Sequence, residues 1–271
     1  MNFILTDLSE QHFKKISSIV YRECGINLKS GKEALVRARL TKRLRALKME
    51  DFGKYIKYLE SDNGKEELGL LIDVMTTNKT SFFREVAHFN FLRENILMKL
   101  ANKKMRFWSA ACSSGEEPFS LAMLLLDSIS NIAANDVKIL ATDISPTILG
   151  KARKAIYGEG TLKDLPSGFL RRYFIKVENE GSQVYQVNTD VRRMVQLAKL
   201  NLMGAWPMKG PFNVIFCRNV MIYFDRDTQE KLINRFWGLL GSGGYLFVGH
   251  SEGLSSVKHN FRYVQPAIYI K

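Results

Sequence analysis

Hydrophobic positions follow two regimes along this chain. From about residue 5 to 75 they recur at helical spacing, and from about residue 104 onward short β-prone runs alternate with amphipathic helices. The first regime predicts a helical bundle. Leu8-Ser-Glu-Gln-His-Phe13 opens a helix with Ser9 or Asp7 as N-cap, and Cys24-Gly-Ile-Asn-Leu-Lys-Ser-Gly31 breaks it. A basic amphipathic helix follows over about 32–48, then helices over Asp51 to Glu60 and Glu66 to Met75, separated by Ser61-Asp-Asn-Gly64. Thr76-Thr-Asn-Lys-Thr-Ser81 reads as a polar connector, and Phe82 to Lys103 as one further helix leading into the first strand.

The second regime predicts a parallel sheet with helical crossovers. Strands are expected at Met105 to Ala111, Val137 to Thr142, Val195 to Asn201, Phe212 to Cys217 and Gly243 to Val248, with helices at Ile148 to Ile156 and Asp227 to Leu240. Phe261 to Ile270 supplies a last strand, of antiparallel type. One segment breaks the rhythm. Tyr173-Phe-Ile-Lys-Val-Glu178 and Gln183-Val-Tyr-Gln-Val187 flank Asn179-Glu-Gly-Ser182, the pattern of an inserted β-hairpin.

Candidate chemistry lies where strands end. Met105 to Ala111 runs into small residues and Gly115, and Glu116, Glu117 and Pro118 then open an apolar helix. Acids and proline suit a first helical turn, where unpaired N–H groups and the positive dipole end sit. The next strand ends in Asp143, the position from which an open α/β fold meets ribose hydroxyls. The loop lacks the Gly-x-Gly-x-x-Gly pattern that brings backbone to a pyrophosphate, so a nucleoside without phosphates fits better, with S-adenosylmethionine the foremost candidate. An ordinary βαβ crossover accounts for this segment taken alone. Further strand ends add weight. Arg218 and Asn219 follow Phe212 to Cys217, Tyr223 lies within reach, and His250-Ser-Glu252 follows Gly243 to Val248. No second histidine or acid stands at metal-ligand spacing, so no metal is expected, and no Gly-x-Ser-x-Gly elbow supports a hydrolase.

Composition narrows the classes. With 271 residues, 46% of them hydrophobic, the chain is long enough for one large domain and a smaller one. No apolar run reaches membrane-spanning length, the N-terminus lacks a signal-peptide pattern, and Cys24, Cys112 and Cys217 form no CxxC pair. A reducing cytoplasm is the expected setting. The outlier is charge: 40 Lys and Arg against 27 Asp and Glu, a net +13, which favours an acidic partner. Lys29, Lys32, Arg37, Arg39, Lys42, Arg43, Arg45 and Lys48 concentrate it on one helix, with Glu33 the only compensating acid within that stretch. A merely solvated helix face is the alternative reading.

Together, Thr76-Thr-Asn-Lys-Thr-Ser-Phe-Phe-Arg84, the Trp108-to-Ser120 run, Ala141-Thr-Asp143, Cys217-Arg-Asn-Val-Met-Ile-Tyr-Phe-Asp225 and Gly249-His-Ser-Glu252 resemble the chemotaxis-receptor glutamate O-methyltransferase family over nearly the whole chain. The resemblance implies an α/β, Rossmann-like S-adenosylmethionine-dependent methyltransferase sheet. It implies residues 1–80 as an N-terminal all-helical domain and connector, and 81–271 as the methyltransferase domain with an inserted β subdomain at about 170–194. The implied activity is methyl transfer from S-adenosylmethionine to glutamate side chains of chemoreceptors, with S-adenosylhomocysteine as product. Carried across residue by residue, Asn78, Thr80, Arg84, Glu117, Asp143, Asn201, Leu202, Cys217 and Arg218 are expected to bind the cofactor. Of these, Asp143 would hold the ribose and Glu117 the methionine ammonium, while Asn201 and Leu202 would lie beside the adenine. Arg84, Arg218 and Tyr223 are the expected catalytic residues, with Tyr223 orienting the acceptor carboxylate. Arg37, Arg39, Lys42, Arg43 and Arg45 would meet the acidic helical cytoplasmic region of a receptor, and the hairpin insert is a candidate holder of a receptor's C-terminal tail. A monomer with no membrane insertion is expected. Two rivals stay open: a nucleic-acid methyltransferase, for which Asn219-Val-Met-Ile replaces the usual Asn/Asp-Pro-Pro-aromatic motif, and a non-catalytic binding module on the same fold.

Overall fold

A computed structural model describes residues 7–98, 104–132, 135–179 and 181–271. It divides into two compact units: Met1–Thr77 with Tyr223–Thr228, and Asn78–Ile222 with Gln229–Lys271. The first is helical: α1 Glu10–Cys24, α2 Glu33–Ala46, α3 Phe52–Leu59 and α4 Lys65–Met75. Ser9 caps α1 by accepting the His12 N–H at 3.2 Å, and Gly25, at φ 75°, closes it with an N–H to the Tyr21 carbonyl. Asp51 caps α3 through the Lys54 N–H at 2.8 Å. Ile16, Val20, Val36, Leu40, Leu44, Phe52 and Leu71 are fully buried and form its apolar interior. The segment Tyr223–Thr228 joins this unit: Asn27 donates its N–H to the Tyr223 carbonyl at 2.8 Å, and the Tyr21 hydroxyl donates to Asp225 at 2.6 Å.

Helix α2 does not carry a uniformly free basic face. Arg43 is held bidentate by Glu67, at 2.9 and 2.6 Å, and Glu67 is 3% exposed and also accepts the Tyr55 hydroxyl at 2.8 Å. Arg39 donates to the Met75 carbonyl and Thr77 hydroxyl at 2.6 and 2.9 Å, and Arg37 pairs with Asp7 at 2.8 Å. The compensating acids come from elsewhere in the chain, which a count along the helix misses. Lys42 and Arg45 are exposed.

The second unit is an α/β layer structure around a seven-stranded sheet. In chain order the strands are β1 Met105–Ala110, β2 Val137–Asp143, β3 Ile156–Tyr157, β4 Phe174–Asn179, β5 Ser182–Val187, β6 Val195–Lys199, β7 Phe212–Cys217, β8 Leu240–Val248, β9 Arg262–Gln265 and β10 Ile268–Ile270. The large sheet runs β6-β2-β1-β7-β8-β10-β9; β6 through β8 are parallel and the last two antiparallel. Its central strands are apolar on both faces, as crossover helices covering both sides require. These helices include α5 Val86–Phe91, α6 Glu116–Ser128, α7 Pro146–Lys154, α8 Phe169–Tyr173, α9 Thr189–Arg193 and α10 Arg226–Leu239. No helix among the described residues is long and apolar enough to cross a membrane.

Three expectations change. The helix expected over Phe82 to Lys103 begins only at Val86, because Phe83 and Glu85 take left-handed backbone angles (φ 51° and 58°); it then passes into a π-helical stretch, Leu92–Leu97, and residues 99–103 lie outside the described residues. The expected hairpin forms, with Phe174 opposite Val187, but β3 adds to its far side, giving a three-stranded sheet of order β3-β5-β4. The last expected strand is two, folded back at Ala267 (φ 63°), so β10 lies between β8 and β9.

Candidate active site

The strand order places the carboxyl ends of β6, β2, β1, β7 and β8 side by side, the edge at which open α/β sheets bind ligands. β1 leaves the sheet through left-handed positions at Ala111, Ser113 and Gly115. Gly115 is required twice over: its φ is 99°, and a Cβ there would meet the Phe119 ring at 2.9 Å and Ala152 at 3.1 Å. This turn aims the Ser113 N–H at the Asp143 carboxylate, 2.9 Å away, while the other Asp143 oxygen accepts the Ser145 N–H at 3.0 Å. Asp143, 6% exposed at the tip of β2, is thereby held rigidly by backbone. The Ser113 hydroxyl donates to the Asn78 carbonyl at 3.2 Å and so ties the start of the polar connector to this loop.

Glu117, in the first turn of α6, turns back to β1. Its carboxylate accepts the Ser109 hydroxyl at 2.7 Å and Arg218 Nη1 at 3.1 Å. Burial pushes its carboxyl up, with Arg218 and Ser109 acting in the opposite sense. Arg218 follows β7 and its side chain is 1% exposed. Its guanidinium also donates to Glu85 at 2.9 Å and to the Arg84 carbonyl, and packs 5.7 Å over the Phe216 ring. Glu85 accepts in addition from the Asn219 amide at 3.3 Å and the His250 N–H at 3.4 Å. Burial works to raise the Glu85 carboxyl, but Arg218, Asn219 and His250 together hold it below the usual range.

Glu252 closes the far side. It accepts N–H groups of Asn219, Gly249 and Ile222 at 2.6, 2.7 and 3.1 Å, and burial raises its carboxyl. A Cβ on Gly249 would lie 2.6 Å from both Asn219 and Glu252, so only glycine admits this turn. His88, 1% exposed, lies edge-on to His250 at 4.9 Å, and burial together with Arg218 drives its pKa down to about 3.

Most of the residues expected at the site fall around this edge, in the second unit. Thr80 is half-buried, and Arg84 donates to the Lys79 carbonyl at 2.9 Å, stapling its own turn. Asn201 follows β6 and accepts the Met203 N–H at 2.9 Å; the carbonyl of buried Leu202 accepts Arg235 at 2.6 Å. Cys217, fully buried, ends β7 in register with Ala110 and Val248, and burial raises its thiol well above the ordinary value. Tyr223 belongs to the first unit, where its carbonyl accepts Asn27. Sequence reasoning missed Glu85 and His88, and the partnership of Glu117 with Arg218; each contact joins residues more than one hundred positions apart or depends on a left-handed backbone. Reading histidine spacing alone also missed that Glu85, His88 and His250 present ligand-type atoms all within 4.8 Å of one another.

The family "CheR methyltransferase, SAM binding domain" matches residues 78–270, and "CheR methyltransferase, all-alpha domain" matches residues 11–76. A probable chemotaxis protein methyltransferase of Rhizobium etli is 43% identical over 90% of this chain and 93% of its own length. The chemotaxis protein methyltransferases of Escherichia coli and Borreliella burgdorferi are 41% and 40% identical, over 97% and 98% of this chain and 91% and 95% of theirs.

Proposed function

The chain belongs to the CheR methyltransferase family, and from that premise we propose that it methylates glutamate side chains of bacterial chemoreceptors in the cytoplasm, using S-adenosylmethionine, as part of chemotactic adaptation. The products are a glutamyl methyl ester and S-adenosylhomocysteine. Two observations support the cofactor reading: two carboxylates, Glu85 and Glu117, share the single guanidinium of Arg218, and Asp143 stands backbone-braced at the tip of β2. The first arrangement leaves an acid at the head of α6 incompletely matched, as a methionine ammonium requires; the second presents a fixed acceptor to ribose hydroxyls. Asn78, Thr80, Arg84, Asn201, Leu202 and Cys217 would complete that pocket. When bound, the cofactor supplies a methyl group on a sulfonium leaving group.

The protein has little proton chemistry to perform. A glutamate carboxylate, with a pKa of about 4.3, is ionised at neutral pH and needs no general base. The residues named have to hold, align and keep water out, and alignment alone supplies much of such a rate. Arg84 and Tyr223 are the proposed positioning groups for the incoming carboxylate. The exposed bases Lys42 and Arg45 suit an acidic receptor helix, and the β4–β5 hairpin suits a receptor tail.

The test is transfer of labelled methyl from S-adenosylmethionine to receptor fragments, alongside RNA and DNA. A base-labile product on the receptor fragment supports the proposal. A base-stable product, or label only in nucleic acid, overturns it. Asp143→Ala should weaken cofactor binding by about 10- to 100-fold, the usual weight of hydrogen bonds to a charged group; calorimetry that finds unchanged affinity removes Asp143 from that role.

A further inference from the structure

The carboxylate of Glu85 is filled. Its Oε2 accepts Arg218 Nη2 at 2.9 Å and Arg218 Nε at 3.3 Å, and its Oε1 accepts the Asn219 amide at 3.3 Å and the His250 N–H at 3.4 Å. A carboxylate offers about four such positions, so none is left for a ligand. Glu117 is the opposite case. One of its oxygens accepts Arg218 Nη1 at 3.1 Å and the other the Ser109 hydroxyl at 2.7 Å, which leaves room for further donors. The guanidinium is divided unequally: two of its three nitrogens face Glu85 and one faces Glu117.

This division is built in. Glu85 reaches Arg218 from a left-handed backbone position (φ 58°), which glycine takes without steric cost and glutamate does not. The preceding carbonyl, of Arg84, accepts from the same guanidinium nitrogen. Neighbouring groups do not disturb the balance. Burial drives the His88 imidazole down to about 3, so it adds no charge near neutral pH. Glu252 is taken up by the N–H groups of Asn219, Gly249 and Ile222.

We propose that Glu85 is a positioning residue for the cofactor: it holds the Nε–Nη2 edge of Arg218 away from Glu117, and so keeps the Glu117 carboxylate open to the ammonium of S-adenosylmethionine. This role rests on the proposed meeting of Glu117 with that ammonium and adds what makes the meeting favourable. A carboxylate and a guanidinium buried together favour a two-bonded fork, and an acid matched in that way has little attraction left for a second cation. With both acids ionised, Glu85, Arg218 and Glu117 carry one net negative charge, which an ammonium neutralises. With the Glu85 charge removed, Arg218 and Glu117 balance each other, and an incoming ammonium loses its water without compensation.

The test compares two ligands by calorimetry on the full chain: S-adenosylhomocysteine, and its deamino analogue, which keeps the carboxylate and lacks the ammonium. The parent should prefer S-adenosylhomocysteine. In Glu85→Gln that preference should fall by about 10- to 100-fold, the weight of a hydrogen bond to a charged group, while the analogue binds as before. A second measurement needs no variant. Burial raises the Glu117 carboxyl, against Arg218 and Ser109, and the Glu85 charge adds to the rise. Affinity of the parent for S-adenosylhomocysteine should therefore fade as pH drops through a value above the ordinary glutamate pKa of about 4.3, and in Glu85→Gln the midpoint should move down. A preference that survives Glu85→Gln overturns the proposal. So does equal loss of both ligands, which makes Glu85 a structural acid, or a parent midpoint at or below the ordinary value, which means that Arg218 already matches Glu117. A parent that binds both ligands alike is a different failure: it takes the ammonium away from Glu117, and the role of Glu85 falls with that reading.

Discussion

Arg218 takes three acceptors from two separate stretches of chain: Glu85 and the Arg84 carbonyl from one, Glu117 from the other. Replacing it with methionine keeps much of the volume and leaves two carboxylates without their cation. Removing one partner of a buried ion pair costs about 3–5 kcal/mol, and urea unfolding of Arg218→Met should show a loss of that size. Glu117→Gln is the contrasting change. It keeps the Ser109 hydrogen bond and relieves a carboxyl that burial already penalises. Its stability should stay within about 1 kcal/mol of the parent, while cofactor affinity measured by calorimetry falls. A variant that loses stability and keeps affinity would make Glu117 a structural acid and nothing more.

At the scale of elements, α2 separates two roles that charge counting merges. Arg43 is clamped to a buried glutamate, so Arg43→Ala should cost about 3–5 kcal/mol in denaturant unfolding. Arg45 is exposed, so Arg45→Glu should leave stability within about 0.5 kcal/mol and reduce receptor methylation, with the reduction disappearing at high salt. The end of α1 titrates. Burial pushes the Cys24 thiol from 9.0 up to about 11. A folded value above the unfolded one means that this stabilisation is complete below pH 9 and lost as pH rises through 11. Two units correspond to about 2–3 kcal/mol, and Cys24→Ala should flatten the alkaline limb of the stability profile over that interval. How much was legible follows from the same contrasts. Strands whose signal is a local apolar run, such as Phe212–Cys217, and caps such as Ser9, whose partner is three residues away, could be read directly. The two-residue strand Ile156–Tyr157 exists only because Gln186 and Tyr185 pair with it. The start of α5 is set by two left-handed residues that carry no glycine to announce them. Asp143 was visible as the end of a strand; the amides that hold it were not, because the Ser113 turn that delivers one of them is a property of the folded loop.

For the whole molecule, the 40 basic side chains are divided between uses. Part is spent internally, on Glu67, Glu85, Glu117 and Asp127; the remainder faces solvent and should make receptor methylation fall as ionic strength shortens the screening length to below about 10 Å. A different consequence lies in the aromatic layer beneath the β6–β7 connection. Trp108 is fully buried, donates its indole N–H to the Thr142 hydroxyl at 2.9 Å, and meets Trp206 edge-on at 4.9 Å; Arg235 covers the outer indole at 3.7 Å while gripping the Leu202 and Gly204 carbonyls. Two indoles locked at right angles within a chiral frame form an excitonic pair. Their near-ultraviolet circular dichroism is therefore an optical gauge, already built into the chain, of the loop that follows Asn201: any ligand that draws this loop in or lets it go will change the band.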